Sequence, residues 1–294
     1  MKTYKISWGR HNLELGERTP IMGIVNVTPD SFSDGGKFFS FDAAVAHGEK
    51  LVADGADILD IGGESSRPFS DPVSADEELR RVLPVIEKLA NSTSVPISID
   101  TTKAVVARKA IEAGACIIND ISALRLDPDM PAVAAESGVP IILMHMLGTP
   151  ETMQVSPEYA DVIEDIKTFL ETAKNRAENA GIQREKIIVD PGIGFGKTVD
   201  HNLLLIRHLR EFATLGVPVL IGPSRKAFIR NILKDPATKD IRPDLPMVEI
   251  GTQAAVAAAV LNGAHIVRAH NVANTRVTVN IIDAMNNSQS ASST

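Results

Sequence analysis

A series of polar residues follows short apolar runs in this sequence: Asn26, Gly62-Gly63-Glu64, Asp100, Asn119, His145, Asp190, Ser224 and Arg268. Asp and Asn in such places often cap the helix that comes next. Asp100 is not needed for that, because Thr101 and Thr102 follow it and can cap instead. With Asn119 and Asp190 added, capping becomes a strained explanation. Two carboxylates and an amide facing a dry mouth are costly unless a ligand's donors meet them, and a carboxylate matches paired N–H groups in a fork. A flat heterocycle with an aminopyrimidine edge satisfies that set. Lys226, at the start of a helical stretch, can donate to the carbonyl side of such a ring; a solvated surface lysine is the plainer alternative.

A second group is cationic. Arg268 and His270 are two residues apart on an extended run and face the same way. If the sheet closes on itself they sit beside Asn26, and Arg67, on the loop after the second run, can close over the same place. That constellation suits an anion, with charge-assisted bonds worth roughly 1.5 to 3 kcal/mol each. A satisfied core histidine is the other reading of His270. Two tempting motifs fail. Gly196-Lys197-Thr198 lacks the phosphate-loop glycine five places upstream, where Pro191 stands, so Gly192, Gly194 and Gly196 read as a flexible loop carrying Phe195. Ser224 has no Gly-x-Ser-x-Gly elbow around it, and no base can be assigned to it.

The elements that must position these groups follow from periodicity. Nearly continuous apolar runs occur at Ile21 to Val25, Ile58 to Ile61, Ile97 to Ile99, Cys116 to Ile118, Ile141 to Met144, Ile187 to Val189, Val217 to Ile221 and Ile266 to Val267. They do not alternate with polar residues, so both faces of the sheet should be covered. Segments of helical period lie between them, such as Ala75 to Leu89, Thr102 to Ala113, Pro157 to Asn179, Asn202 to Phe212 and Met247 to Leu261. Eight alternating units close naturally into a (β/α)8 barrel, whose strand ends converge on one mouth. An open doubly wound sheet remains possible, although no Gly-x-Gly-x-x-Gly follows the first run. Ahead of the repeats, the alternation of Tyr4, Ile6 and Trp8 and then Leu13 and Leu15 reads as a β-hairpin, residues 3–16, that plugs the bottom of the barrel. Asn231 to Pro246 reads as an exposed excursion, and residues 286–294 as a disordered tail after a single domain of residues 1–285.

Composition is consistent with this. A chain of 294 residues, 44% of them hydrophobic, can hold one barrel of ~250 residues. The longest apolar stretch, Ala254 to Leu261, is far too short to span a bilayer, and the first twenty residues contain no apolar signal core. The single cysteine, Cys116, excludes internal disulfides and fits a reducing cytoplasm. A net charge of -7 argues against a nucleic-acid or acidic-membrane surface, so any anionic ligand must be held by locally placed Arg and Lys.

Five segments carry a specific likeness: Asn26-Val27-Thr28-Pro29-Asp30-Ser31-Phe32-Ser33-Asp34-Gly35-Gly36, Asp60 to Pro68, Asp190-Pro191-Gly192 with Gly194 to Lys197, Ser224-Arg225-Lys226, and Arg268-Ala269-His270. With these in order along its whole length, the chain resembles the dihydropteroate synthase family. The resemblance implies a TIM barrel, usually dimeric, that joins 6-hydroxymethyl-7,8-dihydropterin diphosphate to p-aminobenzoate and releases pyrophosphate. It implies that Asp100, Asn119, Asp190 and Lys226 bind the pterin edge with Met144 packed nearby. Arg268 would stack on the ring and, with Asn26, Arg67 and His270, hold the diphosphate, and Asn26 would also ligate Mg²⁺. Asp34 and Arg67 would act from the two loops. Phe32, Ser66, Pro68, Phe195, Lys226 and Ala227 would form the p-aminobenzoate site, where sulfonamides compete.

Three positions depart from the family pattern: Ser66, Phe69 and Ala227 stand where Thr, Gly and often Ser are found. Ser66 keeps its hydroxyl. Phe69 reshapes the second loop, and Ala227 removes a hydroxyl, leaving helix N-terminal amides for the aminobenzoate carboxylate. Two other functions fit the same barrel, a pterin-dependent methyltransferase and a non-catalytic pterin-binding paralogue. The pairing of Ser224-Arg225-Lys226 with Arg268-Ala269-His270 favours the synthase over the first, and Asp34 with Arg67 favours it over the second.

Overall fold

Residues 2–28, 41–65, 72–149 and 152–288 are described in the computed structural model. Phe32, Asp34, Ser66, Arg67, Pro68 and Phe69 lie outside the described residues.

The chain opens with β1 (Tyr4–Trp8) and β2 (His11–Leu15), antiparallel in a register that sets Tyr4 opposite Leu15 and Trp8 opposite His11. Period-two alternation buries Ile6, Trp8, Leu13 and Leu15 on one face. Tyr4 stands edge-on to His265, ring centroids 5.0 Å apart, and His265 immediately precedes the last barrel strand. The hairpin therefore covers the N-terminal end of the barrel, as its sequence predicts.

All eight apolar runs are strands: β3 (Ile21–Asn26), β4 (Ile58–Gly62), β5 (Ile97–Asp100), β6 (Ile117–Asp120), β7 (Ile141–Met144), β8 (Ile187–Asp190), β9 (Leu220–Ile221) and β10 (Ile266–Ala269). They are parallel, in the order β8-β7-β6-β5-β4-β3-β10-β9. A parallel bridge between Val189 and Val219, with Val189 N donating to Pro218 O at 3.0 Å, joins the two ends of that order. The open-sheet alternative is thereby excluded.

Among the described residues the barrel is wrapped by α1 (Phe41–Ala53), α2 (Ala75–Ser92), α3 (Ala104–Glu112), α4 (Met130–Ser137), α5 (Val162–Asn179), α6 (Val199–Arg207), α7 (Ala227–Leu233), α8 (Pro246–Leu261) and α9 (Val272–Asn287). Several boundaries differ from the sequence reading. Asp161 is extended and caps α5 through the N–H groups of Ile163 and Glu164, so the helix starts there and not at Pro157. His208 leaves helical geometry and splits the expected helix into α6 and a 3-10 turn over Leu209–Leu215. α9 continues to Asn287, two residues into the segment expected to lack structure. The exposed excursion narrows to 234–245, since α7 runs to Leu233. No described helix is long and apolar enough to cross a membrane.

Candidate active site

Parallel strands bring their C-terminal ends to one face, and Asn26, Asp100, Asn119, Asp190 and Arg268 meet there on β3, β5, β6, β8 and β10. At their centre is a residue that sequence reasoning passed over. Asp60, in the middle of β4, is fully buried. Its Oδ2 accepts from Arg268 Nε at 2.6 Å and from Asn119 Nδ2 at 3.1 Å. Arg268 Nη2 donates to Asp100 Oδ2 at 2.8 Å. The other oxygen of Asp60, Oδ1, is buried without a hydrogen-bond partner. The signal was present: Ile58 to Ile61 is apolar except for this carboxylate, and an acid inside an otherwise apolar parallel strand must be paired.

Burial sets the electrostatics. It pushes the Asp100 carboxyl up to about 7, against the pull of Arg268 and helped by the nearby charges of Asp60 and Glu78. Burial likewise pushes Asp190 up to about 6, even though Gly192 N donates to its Oδ1 at 2.7 Å and Lys226, Lys197 and Arg268 lie nearby. For Arg268 burial works against the charge, but Asp60 and Asp100 outweigh it and raise its pKa. Arg268, which the sequence places in both halves of the mouth, is thus held in the acidic half.

Lys226 is the N-cap residue of α7, and its Nζ stands 3.9 Å from the centroid of the Phe195 ring. Phe195 packs with Ile121, Met144, Met146 and Met153 in a small apolar cluster. The loop that carries it, expected to be flexible from its glycines, is held by hydrogen bonds from several side chains. Gln154 Nε2 donates to Gly194 O at 2.8 Å, Lys197 Nζ to Phe195 O at 2.9 Å, and Tyr159 Oη to Gly196 O at 2.7 Å. Gly194 N donates to Asn202 Oδ1 at 2.7 Å. Glycine serves conformation here: Gly192 has φ +72°, and a Cβ on it would lie 1.9 Å from His145 O. Lys197 and His145 are both buried, with Lys197 Nζ 3.0 Å from His145 Nδ1. Burial, with the charges of Lys197 and Arg125, pushes His145 down to about 2, so its ring is neutral.

In the cationic half, Ser224 Oγ accepts from His270 N at 3.2 Å and lies 2.9 Å from His270 Nδ1. The hydroxyl has two lone pairs besides its own hydrogen, so this contact is compatible with either neutral tautomer of the His270 ring. Ser224 therefore has the histidine partner that the sequence did not reveal. Asn26 ends β3 half-buried, opposite Gly62 of β4. Ala227 opens α7, directly after Lys226. Glu64 is spent on the scaffold: its Oε1 accepts from Val73 N at 2.8 Å, and Lys103 Nζ bridges its Oε2 to Glu78 Oε2 at 2.6 Å each. Glu64 and Val73 stand on either side of residues 66–71, which lie outside the described residues. No group of three or more His, Cys, Asp or Glu among the described residues could hold a metal ion.

Three comparisons bear on this mouth. The sequence model of the family described as "Pterin binding enzyme" matches residues 22–270. The chain is 47% identical, over 264 residues that cover 90% of it and 89% of the relative, to a protein of Synechocystis named dihydropteroate synthase. The solved structure of Xanthomonas albilineans dihydropteroate synthase with 4-aminobenzoic acid is similar at a TM-score of 0.89 and 42% identity, covering 98% of this chain and 100% of that one. A structure from the same organism in complex with 7,8-dihydropteroate gives 0.85 and 41%, covering 97% and 100%.

Proposed function

The chain belongs to the dihydropteroate synthase family of pterin binding enzymes, and from that premise we propose how its barrel mouth joins 6-hydroxymethyl-7,8-dihydropterin diphosphate to p-aminobenzoate. The products are 7,8-dihydropteroate and pyrophosphate. The observation that carries the reading is the Asp60–Arg268–Asp100 bridge beside Asn119 and Asp190, a buried edge of acceptors with a cation laid across it. Asp100, Asn119 and Asp190 accept the pterin's ring and amino N–H groups, Lys226 donates to its carbonyl, and Met144 packs against it. Arg268 lies flat on the ring. With Asn26, Arg67 and His270 it also holds the diphosphate, and Asp34 and Arg67 complete the site from the loops. Phe195, Lys226 and Ala227 form the aminobenzoate place with Phe32, Ser66 and Pro68, where sulfonamides compete.

The chemistry needs no protein nucleophile. An arylamine is neutral near pH 7 and attacks through its own lone pair. The slow event is breaking the carbon–oxygen bond, whose electron pair leaves with pyrophosphate while the exocyclic carbon's positive charge spreads into the pterin. The C–N bond then forms, and the nitrogen gives its extra proton to solvent. Catalysis is electrostatic, with Arg67, Arg268 and His270 stabilising the departing charge. Mg²⁺ fits this donor set only together with substrate, since Asn26 offers one hard amide oxygen and Mg²⁺ otherwise takes waters and phosphate oxygens. Once bound it would neutralise charge on the leaving group.

We assign the protein to the cytoplasm and to a homodimer. Ile250 of α8 and Val277, Ile281 and Met285 of α9 are each more than half exposed, an apolar face that supports self-association. The test of function is pyrophosphate release from the pterin diphosphate with and without p-aminobenzoate and Mg²⁺. Release that requires both is expected, and no release under any condition overturns the reading.

A further inference from the structure

Lys197 is 4% exposed and has no part in the chemistry above. A buried lysine is rare because its charge is costly to desolvate, so its position needs a reason. Its Nζ meets two acceptors, Phe195 O at 2.9 Å and His145 Nδ1 at 3.0 Å. Burial and the Lys226 charge lower its pKa to about 7, with Asp190 opposing. A neutral amine still carries two N–H groups, enough for both acceptors, so the arrangement survives loss of the charge.

What the amine holds is the floor beneath Lys226. The stem of Lys226 crosses Gly194, where a Cβ would come within 2.9 Å of its Cδ, and its ammonium rests over the Phe195 ring. The height of that ring depends on where the loop's carbonyls are fastened. Three side chains fasten them: Gln154 at Gly194, Lys197 at Phe195 and Tyr159 at Gly196. Lys197 grips the peptide of the ring-bearing residue itself. Through His145 it ties that peptide to the end of β7, where His145 N donates to Asp190 O at 2.9 Å.

We propose that Lys197 is a positioning residue that sets the Phe195 platform under Lys226 and thereby governs affinity for p-aminobenzoate without touching either substrate. This rests on Phe195 and Lys226 lining the aminobenzoate place. Lys197→Met keeps the length and apolar volume of the stem but donates to neither acceptor. Tyr159→Phe removes a neighbouring clamp by deleting one oxygen and keeps the variant set interpretable if Lys197→Met does not fold.

Steady-state kinetics on the full chain read the result. Lys197→Met is expected to raise KM for p-aminobenzoate about tenfold, and Tyr159→Phe two- to fivefold. KM for the pterin diphosphate and kcat should stay within threefold of the parent in both. An equal rise in both KM values, or a fall in kcat alone, overturns the inference, because a general loss of structure would not single out one substrate. Phe195→Ala separates the two claims. If it raises KM for p-aminobenzoate while both clamp variants leave it unchanged, the positioning role is wrong; if it leaves KM unchanged, the assignment of Phe195 to the site is wrong.

Discussion

Arg268 and Asp60 are 208 residues apart in the chain and 2.6 Å apart at the barrel mouth, with Nε donating to Oδ2. Because Asp60 is fully buried, removing it leaves the guanidinium with Asp100 as its remaining carboxylate. Breaking a buried pair from one side costs about 3–5 kcal/mol. Asp60→Ala should therefore lose stability on that scale in urea unfolding, and lose pterin affinity with it. A loss under ~1 kcal/mol would show that the bridge is not structural.

Ligand affinity should depend on pH. Asp100 and Asp190 must be ionised to accept N–H donors, and burial raises them to about 7 and about 6. Calorimetry with 6-hydroxymethylpterin should show affinity falling from pH 7.5 to pH 5, approaching tenfold per unit for each group that must lose its proton. A flat profile would mean that both carboxylates are already ionised across the range.

Stability of the ligand-free protein runs the other way. Asp190 titrates at about 6 when folded and near 3.8 otherwise, so the folded state holds the proton more tightly. Its contribution to stability is greatest below the lower value and is lost as pH rises to the higher. Asp190→Asn should thus stabilise the free protein at pH 8 by ~1–3 kcal/mol, do nothing at pH 4, and weaken pterin binding. Thermal melts at the two pH values check the sign.

Ser224→Ala removes the hydroxyl that orients His270. We expect kcat to fall about tenfold, the scale of one neutral hydrogen bond, with KM for p-aminobenzoate within twofold. Full turnover would mean that the imidazole is oriented by other contacts.

Ile250→Asp combined with Ile281→Asp places two charges on the exposed face of α8 and α9. If the proposed homodimer forms through this face, sedimentation should report a dimer for the parent and a monomer for the double variant. An unchanged mass would put the interface elsewhere.

Every barrel strand was legible in the sequence, because parallel strands covered on both faces have a composition that little else imitates. The polar strand ends were legible for the same reason. Asp60 stood out as the one acid in an apolar run, which says that it must be paired but not by what; Arg268 from β10 and Asn119 from β6 supply the partners. The hydrogen bonding of the loop of Gly192, Gly194 and Gly196 was not legible, because glycine marks permitted backbone angles and says nothing of what pins them. Its fasteners, Gln154, Tyr159 and Asn202, come from outside the motif. Glu64 and His145 had the right position and a different use, one bonded to Val73 and Lys103 and the other receiving Lys197.

The register of β10 beside β3, with Arg268 opposite Met22, also has a bearing on how the protein is made. During synthesis Asp60 and Asp100 emerge long before the arginine that neutralises them. A nascent chain that has folded only its first strands carries two inward acids without their cation, and β3 has an unpaired edge. The last strand supplies the partner to both at once, so in the finished barrel the contact that closes the ring on β3 and the one that neutralises its inward acids belong to the same strand.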